Sequence, residues 1–209
     1  MTKEFKWGGL HPFMYHPLVF DLVPNLEDKI VVDCGCGRGI WGYLIRCTRP
    51  MGNGKMVGID IRPDYIEFCR KFGVYDKLIK VSIVKLPFKD KSVDFLICSE
   101  VIEHLTENLG VKFLNEVERV MRPGGRAIIT TPNVQMDTAI AIGVDSHSSV
   151  WRPDKFVRMG FRVRGMGVKI SPGINKWYTK LILGAYYLFT PLTYFWPRFA
   201  GYLVAYRDY

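Results

Sequence analysis

Along residues 30–130 short apolar runs alternate with stretches in which apolar side chains recur at every third or fourth position. The runs read as buried strands and the recurrences as helices with one covered face. Ile30–Val32, Met56–Asp60, Ile79–Val84, Val93–Cys98 and Ala127–Thr130 are the predicted strands. Between them a helix follows Gly39, with Trp41, Leu44 and Ile45 apolar and Arg46 and Arg49 charged. A second spans Pro63–Phe72, opened by proline and stopped by Gly73. Glu100–Leu105 is helix-prone, and Leu109, Phe113, Leu114, Val117, Val120 and Met121 fall on one face of a helix that Arg122-Pro-Gly-Gly125 ends. Strands alternating with helices predict a parallel sheet covered on both faces.

The two ends are patterned differently. Residues 1–20 are rich in aromatics and histidine (Trp7, His11, Phe13, Tyr15, His16, Phe20) without a clean period. They read either as a lid over a pocket or as a segment packed on the core. Phe161–Ile170 and Ala200–Tyr206 read as strands, and Leu181–Trp196 between them is uncharged and aromatic-rich. Lys180 and Arg198 bracket 17 uncharged residues, the lower limit for crossing a bilayer. Pro191, Thr190 and Thr193, with a strand-like return afterwards, argue against a span. A helical insertion packed on the domain or on a second subunit, and an interfacial surface that touches lipid, are the other readings.

Charge sharpens this division. The chain carries a net +9, yet residues 1–149 hold 19 Lys/Arg against 18 Asp/Glu, while residues 150–209 hold 10 against 2. The C-terminal quarter is either a solvated basic face or a surface that meets anions: substrate phosphate, RNA or acidic lipid. The 209 residues suit one domain with a full core, and the composition is that of an ordinary globular protein. Met1-Thr-Lys-Glu4 shows no secretory leader pattern, and the five cysteines (34, 36, 47, 69, 98) form no C-x-x-C pair. They read as reduced thiols of a cytoplasmic protein, since Cys34 and Cys36 alone would leave a zinc ion short of ligands.

The first strand runs into Asp33 and then glycines 35, 37 and 39, ahead of the helix. Strand, glycine turn, helix lets bare backbone approach a ligand beside the positive end of a helix dipole. The second strand also ends in an acid, Asp60, 21 residues after Gly39, the interval at which a carboxylate reaches ribose hydroxyls. A nicotinamide dinucleotide fits that much, but Ile40 stands where its fingerprint has a third glycine. Asp33, directly ahead of the turn, suits a cationic ligand better than a pyrophosphate. A sulfonium cofactor with an α-amino group meets that requirement.

With these residues in view, Val31-Val-Asp-Cys-Gly-Cys-Gly-Arg-Gly39 resembles the first motif of class I S-adenosylmethionine-dependent methyltransferases, and Val57-Gly-Ile-Asp60 the second. Leu86-Pro-Phe88 through Val93–Leu105, and Glu116–Arg126, resemble the later motifs. The resemblance implies an α/β, Rossmann-like, doubly wound and mostly parallel seven-stranded sheet. It adds an antiparallel C-terminal strand and a helical insertion between the last two strands. The whole chain, 1–209, is then one methyltransferase domain with an N-terminal cap (1–28), a cofactor-binding core (29–133) and a substrate side (134–209) bearing the aromatic insertion 174–199. The resemblance implies that Asp33, Gly35, Cys36, Gly37 and Gly39 surround the methionine end of the cofactor, that Asp60 binds the ribose, and that Ile61 packs on adenine. Ser99 then follows the fourth strand near the cofactor, and Ser82 stands where many relatives carry an adenine-binding Asp.

Methyl transfer from a sulfonium needs alignment above all, which can supply on the order of 7–11 kcal/mol. A hydroxyl acceptor also needs its proton removed, by a base or with a metal. Glu100, Glu103 and His104, at i, i+3 and i+4, share one face if the segment is helical. The pattern E-x-x-E-H is similar to the metal-binding stretch of ubiquinone-type O-methyltransferases and of small-RNA 2′-O-methyltransferases. In the latter a further His follows the fifth strand, as His147 in His147-Ser-Ser-Val-Trp151 does here after Thr131-Pro-Asn133. The resemblance thus implies His104 and His147 as catalytic residues, and Glu100, Glu103, His104 and His147 as a set for Mg or Mn, although Glu-His here is also common where no metal binds. The leading expectation is O-methylation of a small or amphiphilic, lipid-like acceptor, at an acidic membrane surface or through a homodimer joined by residues 177–199. Metal-assisted RNA methylation, a non-catalytic binding module and a dehydrogenase are the alternatives.

Overall fold

The computed structural model describes residues 16–133, 146–168, 188–189 and 191–209. Most of the lid segment, with His11, and most of the aromatic insertion lie outside the described residues. Within them seven strands form one sheet: β1 (Ile30–Cys34), β2 (Lys55–Asp60), β3 (Lys77–Lys80), β4 (Val93–Ser99), β5 (Met121–Pro132), β6 (Arg162–Val168) and β7 (Ala200–Asp208). Their order is β3-β2-β1-β4-β5-β7-β6. β1 pairs in parallel with both β2 and β4, β2 with β3, and β4 with β5, while β7 runs antiparallel between β5 and β6. This is the doubly wound, mostly parallel sheet expected. The direction of winding reverses between β1 and β4, which opens a crevice beyond the carboxyl ends of those strands.

The central strands are apolar throughout because both their faces are covered. Helices α1 (His16–Phe20), α2 (Ile40–Thr48) and α3 (Pro63–Phe72) belong to one face, where Val19, Leu26, Trp41, Ile45 and Ile66 meet Val31, Met56, Phe95 and Ile97. Helices α4 (Glu107–Val120) and α5 (Pro153–Arg158) belong to the other, where Phe113, Leu114, Val117 and Phe156 meet Val32, Leu96 and Ile129. α3 keeps its expected bounds, with Pro63 in its first turn and Gly73 left-handed at φ 62° as its stop.

Two expected elements differ. The third strand lies at 77–80 rather than 79–84, because β3 is an edge that pairs only with β2. Ile83 and Leu86 supply buried core from the following turns instead. No α-helix forms over Glu100–Leu105. Glu100 takes a left-handed φ of 55°, and only Ile102–His104 makes a turn of 3-10 helix. The shared helix face proposed for Glu100, Glu103 and His104 therefore does not exist.

Candidate active site

β1 ends at Cys34, and the chain turns through Gly35, Gly37 and Gly39 with φ of 73°, 51° and 82°. Those left-handed values explain three glycines in five residues, since a Cβ would strain each turn. The loop is tied to the end of β2: the Gly35 and Cys36 N–H groups donate to the Ile59 carbonyl at 2.7 and 2.8 Å. The Gly37 N–H donates to Asp60 Oδ2 at 2.9 Å, and the Arg62 N–H to Asp60 Oδ1 at 2.8 Å. Asp60 thus staples the glycine loop to the second strand, and each of its oxygens keeps a further lone pair. Burial raises its pKa above the ordinary value, against the pull of those N–H donors. Ile61 follows at the rim with its side chain exposed. Ser82 lies one residue past Val81, whose N–H donates to the Asp60 carbonyl at 3.1 Å. Cys36 is buried beside Cys69, whose thiol reaches the Gly37 carbonyl at 3.3 Å.

Asp33 is 2% exposed, and the Tyr75 hydroxyl donates to its Oδ2 at 2.6 Å. Burial pushes the carboxyl up to about 7; the Tyr75 hydrogen bond opposes this, and the nearby Asp60 charge adds to it. Tyr75 is the residue that sequence reasoning missed. Its ring fills space left by glycines: a Cβ on Gly42 would stand 2.5 Å from Tyr75 Cζ, and one on Gly58 would stand 3.0 Å from its Cγ. Gly42 inside a helix and Gly58 inside a strand are the signal that could have found it, because glycine within an element marks a close approach.

The other side of the crevice begins where β4 ends. Val101 packs so closely on Gly35 that no side chain fits there, which sets the 99–104 segment against the glycine loop. Ser99 Oγ and Thr130 Oγ1 are 2.8 Å apart, and the Thr130 hydroxyl donates to Glu100 Oε1 at 3.0 Å. Glu103 is 2% exposed and accepts from the Thr131 hydroxyl at 3.1 Å. Its main-chain carbonyl receives the Ser148 and Ser149 N–H groups at 2.7 and 3.0 Å, which brings the 146–151 segment back to the turn. Trp151, fully buried against Gly110 of α4, anchors that segment.

His147 consequently meets His104, with ring centroids 5.0 Å apart in an edge-on arrangement. His104 Nδ1 lies 3.2 Å from the Ser146 carbonyl. A carbonyl only accepts, so Nδ1 carries a proton, and any role as a base falls to Nε2. Burial, and then the charge of His104, pull His147 below its ordinary value, so it is neutral at pH 7. Ligand atoms of Glu103, His104 and His147 lie within 4.8 Å of one another. Glu100 does not join them; it turns to Thr130 instead. Burial, reinforced by the charge of Glu100, pushes Glu103 well above the ordinary carboxylate value. Without Glu100 the set is two imidazoles and one carboxyl, fewer oxygen ligands than Mg or Mn ordinarily takes, and the carboxyl would have to give up its proton to bind one.

Residues 32–129 match a family model described as "Methyltransferase domain". A Mycobacterium tuberculosis protein named "Probable S-adenosylmethionine-dependent methyltransferase" is 29% identical over 122 residues, 58% of this chain and 42% of its own. A fatty-acid O-methyltransferase of Mycolicibacterium smegmatis is 36% identical over 116 residues, 54% of this chain and 40% of its own. The chain thus spans less than half the length of these curated relatives. A solved S-adenosylmethionine-dependent methyltransferase from Archaeoglobus fulgidus shares the fold at a TM-score of 0.62, covering 92% of each chain at 18% identity. With the strand order and the glycine loop already described, residues 32–129 are thus similar to a methyltransferase domain, and the chain shares the fold of solved S-adenosylmethionine-dependent methyltransferases.

Proposed function

We propose that the protein transfers a methyl group from S-adenosylmethionine to the hydroxyl oxygen of a small or amphiphilic acceptor, with His104 as general base and His147 beside it. One observation carries this reading: an imidazole whose Nδ1 proton is committed to the Ser146 carbonyl, with no hydrogen bond to its Nε2 among the described residues, on the segment that packs against the glycine loop. S-adenosylmethionine supplies a methyl already activated by its sulfonium, so the chain must position the acceptor and take one proton. The hydroxyl oxygen bonds the methyl carbon, the carbon–sulfur bond breaks with its electron pair left on sulfur, and the hydroxyl proton passes to His104 Nε2. Asp33, Gly35, Cys36, Gly37 and Gly39 hold the methionine end, Asp60 the ribose, Ile61 and Ser82 the adenine, and Ser99 lines the floor. The buried carboxyl and bare backbone support this assignment, because they match a ligand that is cationic at one end. The Mycolicibacterium relative named for fatty-acid O-methylation supports an amphiphile as the acceptor class; its named acceptor is a carboxylic acid, so the choice of a hydroxyl rests on His104 alone.

Calorimetry with S-adenosylmethionine and with NADH, followed by a label-transfer screen over amphiphilic alcohols, phenols and carboxylic acids, tests the reading. Binding of the sulfonium and not the dinucleotide is expected. His104→Ala should lower kcat on hydroxyl acceptors by about 10²–10⁴-fold with cofactor affinity kept. Transfer confined to carboxylic acids, which need no base, or full turnover by the variant, would sink it. Metal-assisted RNA methylation has no support in the family or these relatives, and chelation with EDTA should leave turnover unchanged.

A further inference from the structure

The segment that leads into β7 is patterned inside out. Residues 188–189 and 191–195 are helical, and Pro197–Phe199 form a 3-10 turn. The side docked on the sheet is polar: Thr193 is buried with its carbonyl against Gly165 of β6, and the Arg164 guanidinium sits 5.3 Å from the Tyr194 ring centre. The Asn133 side-chain amide donates to the carbonyls of Pro197 and Ala200 at 3.0 and 2.9 Å. These contacts pin the segment to the carboxyl edge of β5, the same edge that opens the crevice. The outward side is apolar. Leu188, Phe189, Leu192, Phe195, Trp196 and Phe199 are 48–71% exposed, and 188, 192 and 195 have the spacing of one helix face. An ordinary surface helix turns such residues inward, so this face is built for a partner other than water.

Charge selects the partner. Between Asp154 and Asp208 the chain holds nine Lys/Arg and no acid; Lys155, Arg158, Arg162 and Arg207 pair with Glu107, Asp154, Asp208 and Glu118, whereas Arg198 makes no such pair among the described residues. Arg198 is exposed within the apolar patch, its guanidinium 5.6 Å from the Phe199 ring centre. Aromatic side chains with basic ones among them match the headgroup boundary of an anionic bilayer, where rings bury and cations meet phosphate. A second copy of the chain would set the same acid-free segment against itself, like charge on like.

We propose that residues 188–189 and 191–199 form an interfacial anchor that seats the protein on an anionic lipid bilayer, at the edge of the sheet where the crevice opens. An amphiphilic acceptor then reaches the crevice from the lipid; this last step rests on the function proposed above, whereas the seating does not.

Flotation of the full chain with vesicles of phosphatidylcholine alone, and of phosphatidylcholine mixed with phosphatidylglycerol, separates the outcomes. Binding should be at least about tenfold stronger to the anionic vesicles and fall as salt is added. The double variant Phe195→Ser, Trp196→Ser should lose about tenfold or more of that binding, with S-adenosylmethionine affinity by calorimetry unchanged. Equal binding to both vesicles, no binding to either, or undiminished binding by the variant overturns the anchor. So does a wild-type dimer in sedimentation equilibrium that the variant converts to monomer while neither floats, since the face then joins two copies. Because flotation needs no acceptor, an anchored protein that methylates nothing would refute the enzymatic reading alone.

Discussion

Asp33 sits ahead of a loop built for a ligand, yet burial holds its carboxyl at about 7. A cation placed beside it would favour the carboxylate, so binding below pH 7 must expel a proton. Affinity for S-adenosylmethionine should therefore rise with pH from 6 to 8, by at most about tenfold per unit. Calorimetry in buffers of different ionisation enthalpy would show the proton released at the lower pH, and Asp33→Asn should flatten the dependence. Tyr75→Phe removes the hydroxyl that favours the charged form and should move the rise to higher pH. A flat profile in the wild type would separate Asp33 from the cofactor.

At the scale of elements, glycine inside two helices matters more than helix propensity. Alanine in place of glycine ordinarily stabilises a helix interior by about 1 kcal/mol. At Gly42 the added methyl meets the Tyr75 ring, and at Gly110 it meets Trp151, so overpacking of about 1–3 kcal/mol should prevail. Denaturant unfolding should show both Gly42→Ala and Gly110→Ala destabilised, and binding should tell them apart. Gly42→Ala displaces the ring that holds Asp33 and should weaken cofactor affinity. Gly110→Ala disturbs the tryptophan anchoring the His147 segment and should lower kcat while leaving that affinity near wild type. The elements themselves were unevenly legible. α3 could be bounded from Pro63 and Gly73, because capping is a local property of the chain. The 100–105 segment could not, because the left-handed Glu100 follows from how the end of β4 meets β5, where Glu100 N–H bonds the Thr130 carbonyl.

For the molecule as a whole, four carboxyls line the crevice walls. Asp33, Asp60, Glu100 and Glu103 are all raised, chiefly by burial. A raised folded-state value means that stability is fully present below the unfolded value, near 4, and is lost as pH climbs through the folded one. For Asp33 alone the window runs from the ordinary 3.8 to about 7, worth roughly 4 kcal/mol at most. The carboxylates held low by arginine partners (Asp64, Glu116, Asp208) or first by the Met56 N–H and then by Arg46 (Asp76) act with the opposite sign, and only in acid. The cofactor-free protein should thus lose stability between pH 5 and 7.5 in urea titrations, and Asp33→Asn should lose less.

The amino-acid sequence by itself determined the glycine turn and the sheet that carries it. The Asp33–Gly39 turn, the acid at the end of the second strand and the alternation of strands with helices are contiguous patterns, and backbone sterics and burial period act at short range. Tertiary structure alone decided what those residues touch. Tyr75 reaches Asp33 across 42 positions, and His147 meets His104 across 43. Glu100, paired with the histidines by spacing, goes to Thr130 instead. Whether a carboxyl is charged, which nitrogen of an imidazole is free and which face of an aromatic segment points outward all depend on packing between distant parts of the chain. Spacing along one segment carries no record of that packing.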